Sequence, residues 1–485
     1  MKARTTTHAL PQSFSFGLQP AVGWSIILGF VVFTALCLAT GLSQLLNLAF
    51  PAGALLVGVL LYIRYPILYH GFSWWMWFLT PFVRRLVDQK IGFMDPSPML
   101  LAPFLVAMVT VITLGRHLPQ LGHRAGFPFI LVIAGVAYGF LIGLIQRPPV
   151  GVCLNFLQSL APILLGFHLI ANWRSYPAYR HNITHVFVWG VLIMGSYGIL
   201  QFLVLPEWDR FWLISTELTS HGNPEPLAVR VWSTMNSVEP FGTFMAAGLL
   251  VVLSASGALQ IPAIIVGFLA FLLTAMRAAW LAWLIGLLAQ AKSLKSSLQI
   301  RLLATFLVIA LLLAPLTTME PFSEMISERI STFSNLNKDG SVEARRNTYR
   351  EIAGQAVTEV VGGGLGAASE RVDRTDADSA IDSAILTLLL NLGWIGTSFY
   401  LSGLLLLVFA VFQGSEGNFD PFVAAAHAAV LSAMIRLPVN DPISGVSGVI
   451  LWSFLGVSIA ARMYYQQLHQ MTRTKLNNNL QKQKQ

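Results

Sequence analysis

Apolar positions in this chain come in unbroken runs, not in a two-residue or 3.6-residue alternation. Such runs begin near Ser25, Asn47, Ile67, Pro98, Phe127, Val150, Thr184, Pro240, Ile261, Ala278, Leu302, Ile385, Pro421 and Ile443. A helix that crosses a bilayer needs about 20 mostly apolar residues. In lipid its backbone groups must also be satisfied within the segment itself. The pattern therefore predicts an all-α polytopic membrane protein with about 12–14 transmembrane helices. The third run is short and carries Trp74, Trp75 and Trp77, a composition compatible with lying in the membrane interface. The tenth, Ala278 to Ala291, is only 14 residues long.

Polar interruptions divide the chain. Residues 1–319 hold the first eleven runs, 320–383 form one long loop, 384–465 hold the last three runs, and 466–485 form a tail. The tail is rich in Asn, Gln and Lys and reads as a disordered cytoplasmic end. Within the loop, Tyr349, Ile352, Ala356 and Val360 recur at helical spacing, which predicts an amphipathic helix over 342–361. The glycines Gly362, Gly363, Gly364 and Gly366 then end it.

Composition agrees with the pattern. Hydrophobic residues make up 55% of the chain and charged residues 11%, with a mean hydropathy of +0.66. Soluble domains carry about 25% charged residues, so a water-soluble enzyme, a disordered chain and a nucleic-acid-binding domain are excluded. Cys37 and Cys153 lie in apolar runs and read as small hydrophobes, not as a disulfide or a metal site.

The placement of the charges is more telling than their sum of +8. With both termini inside, 15 Lys and Arg fall in inner segments and 8 in short outer ones, the sense of the positive-inside rule. The outer eight are Arg84, Arg85, Lys90, Arg147, Arg210, Arg230, Arg277 and Arg436. From Glu320 to Asp382 the long loop holds 12 acidic and 7 basic residues and carries −5, which leaves +13 for the rest.

Four stretches at the outer boundary could carry chemistry. Thr274-Ala275-Met276-Arg277 joins two apolar runs with almost no loop, so Arg277 sits at the boundary. Its guanidinium either snorkels to headgroups or grips a phosphate with its planar fork. Glu343 to Arg350 contains Arg345, Arg346 and Arg350, either a solvated helix face or an anion clamp. Asp382-Ser383 stands at the mouth of the twelfth run, where Asp382 suits a helix N-cap and also a base for a hydroxyl proton. Arg230 to Ser237 leads into Pro240, either as an ordinary loop end with interfacial Trp232 or as part of a polar site. Other patterns fail. The Gly362–Gly366 turn lacks the Lys-Ser/Thr of a phosphate-binding loop. His168 and His427, inside apolar runs, read as core histidines. Asp373, Asp376 and Asp378 lack calcium-loop spacing.

These stretches, with the late loop and the Gly393-Trp394-Ile395-Gly396 segment, give the chain its resemblance to the O-antigen ligase/polymerase superfamily of bacterial membrane proteins. The segment Arg230 to Ser237 is similar to those of cyanobacterial-type members. The resemblance implies a GT-C-like fold with a large extracytoplasmic helical loop, in the bacterial inner membrane. It also implies a glycosyltransferase that polymerises or ligates glycan units carried on undecaprenyl diphosphate, in exopolysaccharide or O-antigen assembly. The acceptor would be a glycan or a lipid-linked glycan, and other polysaccharide-assembly proteins would be partners. Arg277, Arg345, Arg346 and Arg230 would hold the diphosphate, and no metal or nucleotide sugar would be needed. Where family ligases have His-Asn this chain has Asp382-Ser383, which points toward a polymerase with Asp382 as the base. The competing readings are a transporter, for example of inorganic carbon, and a structural scaffold.

Overall fold

The computed structural model describes residues 20–117, 126–293, 296–297, 299–300, 307, 353–354, 356–374 and 383–483. Among them the secondary structure is helical. The helices are α1 (Ala21–Ala39), α2 (Leu46–Arg64), α3 (Pro66–Ile91), α4 (Ala102–Met108), α5 (Val111–His117), α6 (Phe127–Gln146), α7 (Pro149–Ala171) and α8 (Tyr176–Val204). They continue with α9 (Glu207–Thr216), α10 (Val238–Ser254), α11 (Gln260–Leu273) and α12 (Arg277–Ser293). The last four are α13 (Ala367–Arg374), α14 (Ala384–Phe412), α15 (Pro421–Ile435) and α16 (Gly445–Gln483).

Eight helical segments among the described residues are long and apolar enough to cross a membrane. They are α1, Ser43–Arg64, Pro98–His117, α6, α7, Trp173–Val204, α14 and Gly445–Asn479, while α10, α11 and α15 are shorter apolar helices. The protein is thus a multi-pass helical membrane protein. The run expected from Leu302 and most of the expected loop helix lie outside the described residues. Of that helix, 353–354 and 356–358 are described, and both are helical.

The chief packing pairs are α7 with α16, α6 with α14, α8 with α11 and α12 with α15. Small residues let the first pair touch backbone to backbone. A Cβ on Gly456 would lie 2.3 Å from the Gly166 carbonyl oxygen, and one on Gly166 would lie 2.4 Å from that of Trp452. Close approach of this kind is how apolar helices gain packing energy when lipid offers no hydrophobic contrast. The tail differs from expectation: instead of ending near residue 465, α16 runs on helically to Gln483.

Helix α3 is the largest departure from the sequence reading. It is not short: it runs for 26 residues and is largely buried. Trp74 and Phe78 are buried against α8 and α10 through Phe187 and Phe244, and Trp77 against Phe104 of α4. Arg84 and Arg85 are not loop residues but lie inside its last turns. Arg84 Nε sits 3.0 Å from Asp88 Oδ2, one turn on. Arg85 Nε lies 3.1 Å from Asp209 Oδ1 of α9, and both side chains are 0% exposed. Tyr197 and Gln201 of α8 each donate to Asp209 Oδ2 at 2.7 Å. Arg85 also donates to the carbonyls of Met235 (3.0 Å) and Ser233 (2.5 Å). Gln201 Oε1 accepts from the amides of Trp232 (3.1 Å) and Ser233 (2.8 Å). One network thereby ties α3, α8, α9 and the segment leading into α10.

Helix α14 is broken at Gly393, whose φ of 59° and ψ of −171° interrupt the helical path. An inserted segment satisfies the interrupted backbone. Trp394 and Ile395 donate to the carbonyls of Glu359 (3.2 Å) and Val360 (3.3 Å), and the Gly363 amide donates to Leu390 (2.8 Å). The two chains are so close that a Cβ on Gly362 would stand 2.3 Å from the Gly393 nitrogen. Non-helical backbone is tolerated in apolar surroundings only when protein covers it in this way.

Replacing Arg85 with Met strands a buried carboxylate, a change that typically costs about 3–5 kcal/mol. Thermal unfolding of the detergent-solubilised protein should show a large drop for Arg85→Met. The double variant Arg85→Met with Asp209→Leu should recover most of it. Equal losses in the single and double variants would argue against the pair.

Candidate functional site

The helices α3 and α8 finish, and α10, α14 and α16 begin, at the same end of the bundle, called here the upper end. A cavity of ≈ 330 Å³ opens there between α6, α7, α13, α14 and the α15–α16 loop. Its polar wall comprises Asn155, Gln158 and Ser159 of α7, Ser369 of α13, Thr387, Asn391 and Tyr400 of α14, and Asp441 and Ser444 of the loop. Leu365, Leu388, Leu392 and Ile443 supply the apolar part. A mixed surface of this size suits a small organic ligand or one ring of a larger one.

The cavity wall is built by the break in α14. Leu365 and α13 follow directly on the inserted segment. The Leu365 amide donates to the Gly139 carbonyl of α6 at 2.9 Å. Asn391 Oδ1 accepts from the Ala368 amide at 2.9 Å, which fixes α13 to α14. Arg147, at the end of α6, donates to the Gly363 carbonyl (2.8 Å) and pairs with Glu370 of α13.

The α15–α16 loop is fastened at both ends to Glu239 in the first turn of α10. Arg436 NH1 lies 3.6 Å from Glu239 Oε1 and donates to Thr243 Oγ1 at 2.7 Å. Ser447 Oγ donates to Glu239 at 2.9 Å. In between, the Ala384 amide at the start of α14 donates to the carbonyls of Leu437 (3.1 Å) and Asn440 (3.0 Å). Asp441 closes a turn, accepting from the Ile443 amide (3.1 Å) and the Ser444 hydroxyl (2.5 Å). Burial pushes its carboxyl above the usual carboxylate range, against the pull of those hydrogen bonds.

Two of the four stretches singled out in the sequence meet in space. The Val231 amide donates to the Leu273 carbonyl at 3.0 Å. Arg230 donates from Nε to the Thr274 carbonyl (3.1 Å), from NH2 to that of Ala275 (3.4 Å) and from NH1 to that of Ser220 (3.0 Å). Arg230 therefore caps the free carbonyls at the end of α11 and shapes the turn that presents Arg277, a familiar task for an arginine at a helix C-terminus. Arg277 is the first residue of α12 and is partly buried. The turn before it holds Ala275 at φ 50°. Arg345, Arg346 and Asp382 lie outside the described residues, as do Asp376 and Asp378. The cap of α14 falls on Ser383, whose hydroxyl accepts from the Leu386 amide at 3.5 Å, and not on Asp382.

Several arginines that oppose the positive-inside pattern thus have partners within the protein: Arg84, Arg85, Arg147, Arg230 and Arg436. Arg210 is exposed on α9. The core histidine reading holds for His168, which bonds to Thr113 (2.7 Å) and Tyr179 (3.1 Å). His427 packs half-buried beside Phe412. Cys37 is buried and Cys153 is exposed. Among the described residues no group of three or more His, Cys, Asp or Glu side chains could hold a metal ion. The sequence reading missed Glu239 and Asp441. The one local signal was an Asn-Asp-Pro triplet interrupting two apolar runs, next to the already suspicious Arg436.

His221 lies buried between Trp212 and Trp232, with ring centroids at 5.9 and 5.2 Å. Burial first, then Arg230 and Arg85, lowers its pKa to about 4. The unfolded chain takes up a proton near the ordinary value of about 6.5, the folded one only near 4. Above the first value His221 has no effect on stability. Between the two, folding loses up to about 1.4 kcal/mol per pH unit. His221→Gln should flatten this acid limb in thermal unfolding measured from pH 7 to pH 4, and an unchanged limb would assign the acid sensitivity elsewhere. No protein-family model and no curated protein matches this chain.

Proposed function

We propose that the protein is a glycosyltransferase that polymerises or ligates lipid-diphosphate-linked glycan units at the outer face of the bacterial inner membrane. The observation that carries this reading is the upper-end cavity. Its amide and hydroxyl side chains alternate with apolar ones, a lining matched to a neutral, hydroxyl-rich ring, and among the described residues one carboxyl, that of Asp441, opens onto it. In this reading the cavity faces outward, the termini are cytoplasmic, and the long loop is the extracytoplasmic cap of a GT-C-like fold. Arg277, with Arg345 and Arg346, stabilises the charge that grows on the departing diphosphate. Arg230 joins them chiefly by shaping the Arg277 turn. Asp382 takes the acceptor's proton. Membrane lipids and other glycan-assembly proteins are its partners.

A second reading, transport of a small solute, draws on the break in α14. Discontinuous helices beside a polar cavity are characteristic of secondary transporters. A deletion strain separates the two. Accumulated single repeat units on the lipid carrier support a polymerase, accumulated complete chains support a ligase, and an unchanged glycan profile sinks both and favours transport.

Within the enzyme reading, Arg277→Ala and Asp382→Ala, expressed at normal levels, should each cut polymer formation by at least 100-fold, in line with the usual loss of a charge-stabilising or proton-accepting group. Full-length polymer from either variant removes that residue from the mechanism.

A further inference from the structure

We infer that Asp441 is a further catalytic residue, the carboxylate that receives the acceptor hydroxyl's proton inside the cavity. The inference rests on the glycosyl-transfer reading above. It differs in moving the proton from Asp382 to Asp441, a residue that the sequence alone did not suggest.

Three observations carry it. Among the described residues Asp441 is the only Asp or Glu on the cavity wall, so it is the one carboxylate there that a bound hydroxyl meets. Its two hydrogen bonds, from Ile443 and Ser444, hold the carboxyl in one orientation yet leave accepting capacity, since an ionised carboxylate offers about four lone-pair sites. The loop that carries it is clamped on either side by the Glu239–Arg436 and Glu239–Ser447 contacts, which gives the rigidity that proton transfer needs. Burial adds basicity by raising the pKa of the carboxyl.

The step balances simply. The acceptor hydroxyl oxygen forms a bond to the donor sugar's anomeric carbon as that carbon's bond to the diphosphate oxygen breaks. The bonding pair leaves with the lipid diphosphate, and the hydroxyl proton passes to Asp441. The charged and titratable groups near Asp441 among the described residues are Glu239 of α10, within range to repel it, Arg436 paired with Glu239, and Tyr400 of α14.

A purely structural role is the alternative, because Asp441 closes a turn. The variant Asp441→Asn distinguishes the two: asparagine accepts from the same amides and closes the same turn but cannot take the proton. In membranes from a deletion strain complemented with each variant, Asp441→Asn should reach normal levels and lose at least 100-fold of polymer formation. Asp441→Glu should retain part of it. Polymer formation by Asp441→Asn within threefold of wild type overturns the assignment while leaving glycosyl transfer standing. A deletion strain with an unchanged glycan profile overturns the glycosyl-transfer reading itself. One measurement is independent of turnover. Dicyclohexylcarbodiimide, which attacks protonated carboxyls in apolar surroundings, should modify Asp441 in the intact protein, mapped by mass spectrometry, with less modification as pH rises. No adduct at any pH would show that the carboxyl does not exchange protons with the cavity, and the assignment falls.

Discussion

A polar group removed from water must find its partner inside the protein, and this constraint organises the upper end of the molecule. It acts on side chains at Arg85 and Asp209, whose mutual burial would be untenable for either alone. It acts on the backbone at Gly393, where the break in α14 would leave amides and carbonyls unpaired in apolar surroundings. The segment from Glu359 to Gly363 supplies those partners. Because α13 follows that segment, the same repair sets one wall of the cavity. The break, the inserted segment and the cavity are consequences of a single accounting of hydrogen bonds.

The fold was legible where the chain is uniform. Helices α1, α2, α6, α7 and α14 begin within a few residues of the apolar runs that announce them. Legibility failed at α3, where Arg84, Arg85 and Asp88 dilute the hydropathy of a helix that is nonetheless buried. Hydropathy scores each residue against water or lipid, whereas Arg85 is solvated by Asp209, Ser233 and Met235, all remote in sequence. The tail failed for a different reason. Asn, Gln and Lys are poor reporters of helix when no apolar stripe accompanies them, yet nothing in 466–483 terminates α16.

The candidate site shows the same division. The stretches around Arg230 and Arg277 were visible as polar residues at membrane boundaries, but their meeting was not, because it is made by backbone carbonyls of one and the guanidinium of the other. Glu239 and Ser447 stand 208 residues apart in the chain. Taken alone, each looks like an ordinary first-turn residue of a helix. Their juxtaposition with Arg436 turns a charge that topology disfavours into the fastening of a loop. The outer arginines were the most suggestive feature of the sequence. Most of those described serve first as internal ties.

Helix α16 begins at Gly445, whose φ of 54° turns the chain sharply out of the Asp441 loop. It then continues to Gln483, 39 residues in all, a rod about 58 Å long. Its first turn is tied to Glu239 through Ser447, and its middle lies backbone to backbone against α7. The short loop that holds Asp441 is therefore seated on a long, rigid post, so a disturbance of the α7–α16 seam far from the cavity would be felt at its wall.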